Sequence, residues 1–267
     1  MNTFLRIPRG ARAAAALLGL AFALFGGPAH ADALGTIRKT GTVRIAVPQD
    51  FPPFGTVGPD LKPRGYDIDT AALIAKELGV KLELIPVSST NRIPYVTTGK
   101  ADLVISSLGK NPEREKVIDF SIAYAPFFNG VFGPADVKAA GPGDLAGMTI
   151  AVTRGSIEDL ELSKIAPATA TIKRFEDNNS TISAYLSGQV QLAATGNVVA
   201  AALNERTKLR PMTPKFVIKN SPCFVGVNKG EAALLAAVND ILAKAKKGGA
   251  LNTIAMTWLK NPLPADL

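Results

Sequence analysis

Apolar and polar positions alternate with period two over residues 43–47, where Val43, Ile45 and Val47 flank Arg44 and Ala46. That spacing predicts a half-buried strand. Asp67 or Asp69 can cap a helix carrying Leu73, Ile74 and Leu78, which Gly79 terminates. Residues 80–84 alternate again as a strand. A short helix near 93–98 then leads through Gly99-Lys100 into a strand over 103–105. After a loose stretch at 133–143 the pattern restarts. Strands are predicted at 149–152, 171–175 and 190–194, separated by helices at 156–163 and 181–186, with a further helix at 198–206. Residues 224–227 form a late strand, followed by helices near 231–246 and ending near Trp258.

Strands alternating with helices imply parallel βαβ units with right-handed crossovers. Two runs of similar length imply two lobes, and the lone late strand is most simply placed back in the first sheet. The expected organisation is α/β and two-lobed, with residues 32–126 and 223–267 in one lobe and 127–222 in the other. Each lobe is a mostly parallel sheet flanked by helices. The two crossings, near 125–130 and 220–225, form a hinge, and ligands of such lobes bind at the carboxyl ends of the strands.

The first residues change the accounting. Arg6, Arg9 and Arg12 precede an apolar run over 13–25, and Gly26-Gly27-Pro28-Ala29-His30-Ala31 follows. This predicts a secretory leader over 1–31 cleaved after Ala31, hence a periplasmic product. The run is too short to span a bilayer, which takes about 20 residues. The formal charge of +8 (30 basic, 22 acidic residues) loses these three arginines and becomes +5. The remaining basic residues are scattered except for Lys244, Lys246 and Lys247 at a helix end, where they complement the dipole. No basic stripe with interleaved aromatics favours nucleic acid. The sole histidine, His30, leaves with the leader, and Cys223 is the sole cysteine. Histidine-dependent catalysis, His-ligated metal and disulfides are therefore excluded from the mature chain, and neither metal nor cofactor is expected.

Three segments could hold a small anion. Ser106-Ser107-Leu108-Gly109-Lys110-Asn111-Pro112-Glu113-Arg114 follows a strand end and offers backbone N–H groups, two hydroxyls and a guanidinium that can grip a carboxylate bidentately. Pairing of Arg114 with Asp119 or another acid is the structural alternative. Gly155-Ser156-Ile157 occupies the matching place in the second run, where Ser156 with Asp159 also reads as an ordinary helix cap. Phe51, in the loop Asp50-Phe51-Pro52-Pro53-Phe54-Gly55, could wall a pocket or belong to the core.

In order along the chain, Gly65-Tyr66-Asp67-Ile68-Asp69, Asn91-Arg92-Ile93-Pro94-Tyr95, Gly99-Lys100-Ala101-Asp102-Leu103, Pro112-Glu113-Arg114, Asp119-Phe120-Ser121, Gly155-Ser156 and Trp258 resemble the family 3 extracellular solute-binding proteins. These are periplasmic amino-acid receptors of ABC importers, with the type II periplasmic-binding-protein fold. The resemblance implies that Arg114 clamps a ligand carboxylate and that Ser106, Ser107 and Gly109 supply hydrogen bonds. It further implies that Phe51 packs over the ligand and that Gly155, Ser156 and Ile157 form the second lobe's carboxylate-binding turn. A monomeric protein that delivers a small carboxylated solute, an amino acid or close relative, to a membrane permease is expected, without catalysis.

This chain departs from the family pattern at Gly109, Asn111 and Ile157, where hydroxyl residues are usual, and Ser89 falls near the place of the second aromatic wall. Gly196 stands where amino-acid-binding members carry the Asp that pairs with the ligand ammonium. Asp50 or Glu158 could substitute for it, or Asn197 could serve a neutral polar group. An alternative on the same fold is a cyclohexadienyl-dehydratase-like enzyme using Glu158 or Asp50 as its acid. A sensor for a membrane receptor would share every binding residue.

Overall fold

The computed structural model describes residues 32–267; the expected leader and its cleavage site lie outside the described residues. In chain order the elements are α1 (Ala33–Thr40), β1 (Thr42–Pro48), β2 (Asp50–Phe51), β3 (Gly55–Val57), β4 (Pro63–Arg64), α2 (Tyr66–Leu78), β5 (Lys81–Val87), α3 (Arg92–Thr97), β6 (Leu103–Val104), α4 (Pro112–Glu115), β7 (Ile118–Ala125) and β8 (Phe128–Gly133). A 3-10 turn at Pro142–Leu145 leads into β9 (Thr149–Thr153), α5 (Ile157–Ile165), β10 (Thr171–Phe175), α6 (Asn178–Leu186), β11 (Leu192–Gly196), α7 (Asn197–Arg206), β12 (Thr213–Asn220), β13 (Cys223–Asn228), α8 (Ala232–Lys247) and α9 (Ala250–Trp258).

The two main sheets repeat one design. The first runs β5-β1-β6-β13-β7 and the second β10-β9-β11-β8-β12. In each, the first three strands are parallel and the fourth is antiparallel to the third. The chain leaves the first sheet between β7 and β8 and returns between β12 and β13, so each crossing delivers an antiparallel fourth strand. The crossings are tied together, Ser221 N–H donating to the Phe127 carbonyl at 3.0 Å. The late strand therefore rejoins the first sheet, between β6 and β7.

Each sheet buries both faces, as parallel sheets with helical crossovers must. One face of the first sheet packs Val43, Ile45, Leu103 and Val225 against Ile74, Leu234, Val238 and Leu251 from α2, α8 and α9. The other packs Ala46, Val104 and Ile118 with Val96 of α3. In the second sheet Ile150, Val152 and Leu192 meet Leu162 of α5 on one face, while Ala151 and Ala193 meet Tyr185 and Ala200 on the other. No helix of the described residues is long and apolar enough to cross a membrane.

Two local expectations shift. The cap of α2 is Gly65, without a side-chain bond, and Asp67 lies inside the first turn, fully buried. Its carboxylate turns inward, accepting Tyr124 Oη–H at 2.6 Å and Ser107 N–H at 2.7 Å, instead of capping the helix. The strand expected at 190–194 runs over Leu192–Gly196, which brings its end to the cleft.

Candidate functional site

The carboxyl ends of β6, β9 and β11 converge on a narrow cleft lined in part by Phe51, Ser107, Gly109, Ser156 and Ile157. Five of the nine residues expected at the site are thus brought together by both halves of the chain. The remaining four lie at different removes.

Arg114 sits behind the lining, 5% exposed. Asn111 caps the short α4 by accepting Arg114 N–H at 2.9 Å, and Pro112 occupies the first helical position. The guanidinium then reaches from one half to the other: Nη1 donates to the Gly109 carbonyl at 2.6 Å and Nη2 to the Gly155 carbonyl at 2.8 Å. Asp119, the alternative partner, pairs with Lys229 at 2.6 Å instead. Burial, and secondarily the like charge of Arg92, pull the Arg114 pKa down to about 9, which leaves it cationic at neutral pH.

The second half presents the N-terminus of α5. Gly155 adopts φ +73°, the left-handed region open to glycine. Ser156 caps the helix, its Oγ accepting Asp159 N–H at 3.1 Å. The reciprocal bond falls one residue earlier than in a capping box, from Gly155 N–H to Asp159 Oδ2 at 3.0 Å, and Arg174 holds the other carboxylate oxygen at 2.8 Å. The turn is rigid before any ligand arrives, and its helix dipole favours an anion.

Gly109 has a steric reason. A Cβ there would lie 2.5 Å from Ser221 Oγ and 2.7 Å from Ile157 Cγ1, so the hydroxyl residue usual in the family would not fit this closed arrangement. Gly196 has another: a Cβ would overlap the ring of Phe127. That ring packs with Phe51 and Phe54 at centroid distances of 6.2 and 5.4 Å, so an aromatic cluster fills the space of the missing acid. Asn197 turns away from the cleft; its Oδ1 accepts Phe128 N–H at 3.1 Å and it lines a separate apolar groove. Ser106 is buried beneath the lining and gives its carbonyl to Arg92 Nη1.

Of the two acids considered as substitutes, Asp50 is committed, accepting Asn178 N–H at 2.7 Å and Nδ2–H at 3.0 Å. Glu158 lines the cleft, 5% exposed, and burial raises its pKa above the ordinary carboxylate value. Ser89 also lines the cleft.

The sequence reading did not single out Arg92, Asn129, Thr195 or Ser221, which also line it. For Arg92 there was a signal. It lies four residues before Val96 on α3, an apolar i, i+4 face, and both are buried. Asp67 was missed as well: it pins Ser107, which holds the unusual φ of +40° for a residue with a side chain. Burial pushes the Asp67 pKa up to about 7, opposed by its bonds from Tyr124 and Ser107. Among the described residues no group of three or more potential ligands could hold a metal ion.

The family model of the bacterial extracellular solute-binding proteins, family 3, matches residues 43–261. The Bacillus subtilis ABC transporter glutamine-binding protein GlnH is 28% identical over 88% of this chain and 87% of its own. The Salmonella typhimurium glutamate/aspartate import solute-binding protein is 26% identical over 92% and 85%. Among solved structures, a Neisseria gonorrhoeae solute receptor for L-cysteine superimposes with a TM-score of 0.80 at 29% identity, covering 85% of this chain and 93% of that one. An ancestral amino acid-binding protein, a precursor of cyclohexadienyl dehydratase, gives 0.78 at 30% identity, covering 86% and 100%. The two-sheet architecture is that of the type II periplasmic amino-acid-binding proteins. Matched over most of its described length, the chain belongs to family 3 of the bacterial extracellular solute-binding proteins.

Proposed function

We propose that this protein is a monomeric periplasmic receptor that closes over a small amino acid and presents it to the permease of an ABC importer. Residues 32–126 with 223–267 form one lobe and 127–222 the other, moving about the crossings at Phe127 and Ser221. The carrying observation is the guanidinium of Arg114, buried and bonded at once to Gly109 of one half and Gly155 of the other. A ligand carboxylate placed against Arg114 and the Ser156–Ile157 turn gains contacts from both halves only when they are closed. It therefore shifts the population to the closed form. Phe51 walls the ligand, Ser107 and Gly109 line its path, Ser106 holds Arg92 from beneath, and Asn197 acts by holding Phe128. The amino-acid binding stated in the names of the relatives supports this reading.

The test is a thermal-shift and calorimetric panel of amino, keto and hydroxy acids. At a hundredfold excess over Kd one class raises Tm by roughly 5–10 °C, and Arg114→Ala removes the shift. A panel in which no carboxylate shifts Tm sinks the proposal. A second reading rests on Glu158, a buried acid that could donate a proton to a bound cyclic carboxylate. Absorbance-monitored turnover of such a compound, lost in Glu158→Gln, would select it over transport.

A further inference from the structure

Among the described residues two buried side-chain polar atoms lack any hydrogen-bond partner, Arg92 Nε and Ser221 Oγ. Both residues line the same cleft, one from α3 and the other from the return crossing. Their coincidence is informative because a buried donor left unsatisfied costs about 1–3 kcal/mol, and more when it is charged. Arg92 is only 4% exposed, and its guanidinium makes one hydrogen bond, from Nη1 to the Ser106 carbonyl. Glu158 and Asp67 are near enough to act on it electrostatically, yet neither is bonded to it. Arg114 is different, since its two terminal nitrogens are held by backbone carbonyls.

Besides Asp67, whose carboxylate is taken up by Tyr124 and Ser107, the buried charged groups here are the Glu158 carboxylate and the Arg92 guanidinium, which line the cleft, and the Arg114 guanidinium directly behind it. Their carbonyl attachment points, Ser106 and Gly109, are three residues apart on one loop, a reach of at most roughly 10 Å. A ligand complementary to this set carries two anionic groups a few bonds apart and one cation. We infer that Arg92 and Ser221 form a second carboxylate subsite, and that the cleft selects a short acidic amino acid, its side-chain carboxylate on Arg92 and its ammonium facing Glu158. This deepens the amino-acid-receptor reading and rests on it. An acid at this subsite satisfies a donor the protein leaves open, whereas the corresponding amide brings no charge to the guanidinium.

Isothermal titration calorimetry of the purified protein with L-glutamate, L-aspartate, L-glutamine, L-asparagine and glutarate decides it. The expected result is that one acidic amino acid binds at least about thirtyfold tighter than its own amide. Glutarate, lacking the ammonium, binds more weakly than glutamate. Arg92→Gln abolishes the preference for acid over amide, Arg92→Lys restores part of it, and Ser221→Ala weakens the acid by roughly three- to tenfold. The comparison of acid with amide in the unaltered protein stands even if Arg92→Gln fails to fold. Amides binding as tightly as acids, or a preference that survives in a folded Arg92→Gln protein, overturns the inference and leaves the receptor reading intact. If neither these nor any other amino acid binds, both fall together.

Discussion

The two walls of the cleft are built on opposite principles. On the second-half wall the Gly155–Asp159 turn is closed by local bonds: Ser156 caps, Asp159 returns to Gly155, and Arg174 holds Asp159. On the first-half wall Ser107 sits in a left-handed conformation that a side chain disfavours, pinned by a buried carboxylate, while Arg92 is charged and mostly unbonded. One wall is a finished helix start and the other is held in tension. The difference teaches where selection resides. A preformed dipole receives any carboxylate, but an unsatisfied guanidinium gains most from the one ligand that satisfies it.

The strongest way to break this contrast is to remove the group that joins the walls. Arg114→Ala leaves the Gly109 and Gly155 carbonyls without their shared donor, and ligand affinity should fall by roughly a hundredfold or more in calorimetry. Unchanged affinity would mean that the walls communicate by another route.

Asp67→Asn tests the tension on the first wall. The Asp67 pKa is about 7 in the folded chain against 3.8 in an ordinary carboxyl. The folded state therefore holds a proton that the unfolded state has released. Stability from this group is full below about pH 4 and is lost as pH rises to about 7. Other buried titratable groups packed around it are Tyr66, Tyr124, Cys223 and Arg92, whose charge state does not change in that window. Urea unfolding at pH 5 and pH 8 should show the wild type losing more stability than the variant, and equal losses would remove Asp67 as the cause.

Smaller effects sharpen the picture. Gly196→Ala forces the Phe127 ring aside and should cost about 1–3 kcal/mol, lowering Tm by several degrees. Asn197→Ala, which loses one bond to an exposed backbone N–H, should cost no more than about 1 kcal/mol and leave ligand Kd within roughly twofold. A large loss of affinity there would return Asn197 to the cleft.

Much of the fold could be read from period-two strands and glycine-terminated helices, β1 with Val43-Ile45-Val47 being the plainest case. β7, β8 and β12 were not seen. Their strand state is set by distant pairing, as between Phe128–Gly133 and Thr213–Asn220, and Phe128–Gly133 carries two glycines that weaken local preference. At the site, Arg114 and the Gly155–Ser156 turn stood out because a capped helix start has a local signature. Asn197 lies beside the cleft strand in sequence but outside the cleft in space, since the first turn of α7 directs it to Phe128.

By itself the sequence determined the two βα runs, the return of the last strand, and the arginine and serine set on helix starts, because all of these follow from short-range periodicity and capping. Only the tertiary structure decided what each charge faces. It joined Arg114 to Gly155, gave Asp50 to Asn178, filled the space at Gly196 with Phe127, and left the Nε of buried Arg92 unpartnered. Hydrogen-bond satisfaction in a closed cleft depends on atoms from both halves at once, and no local pattern encodes that meeting.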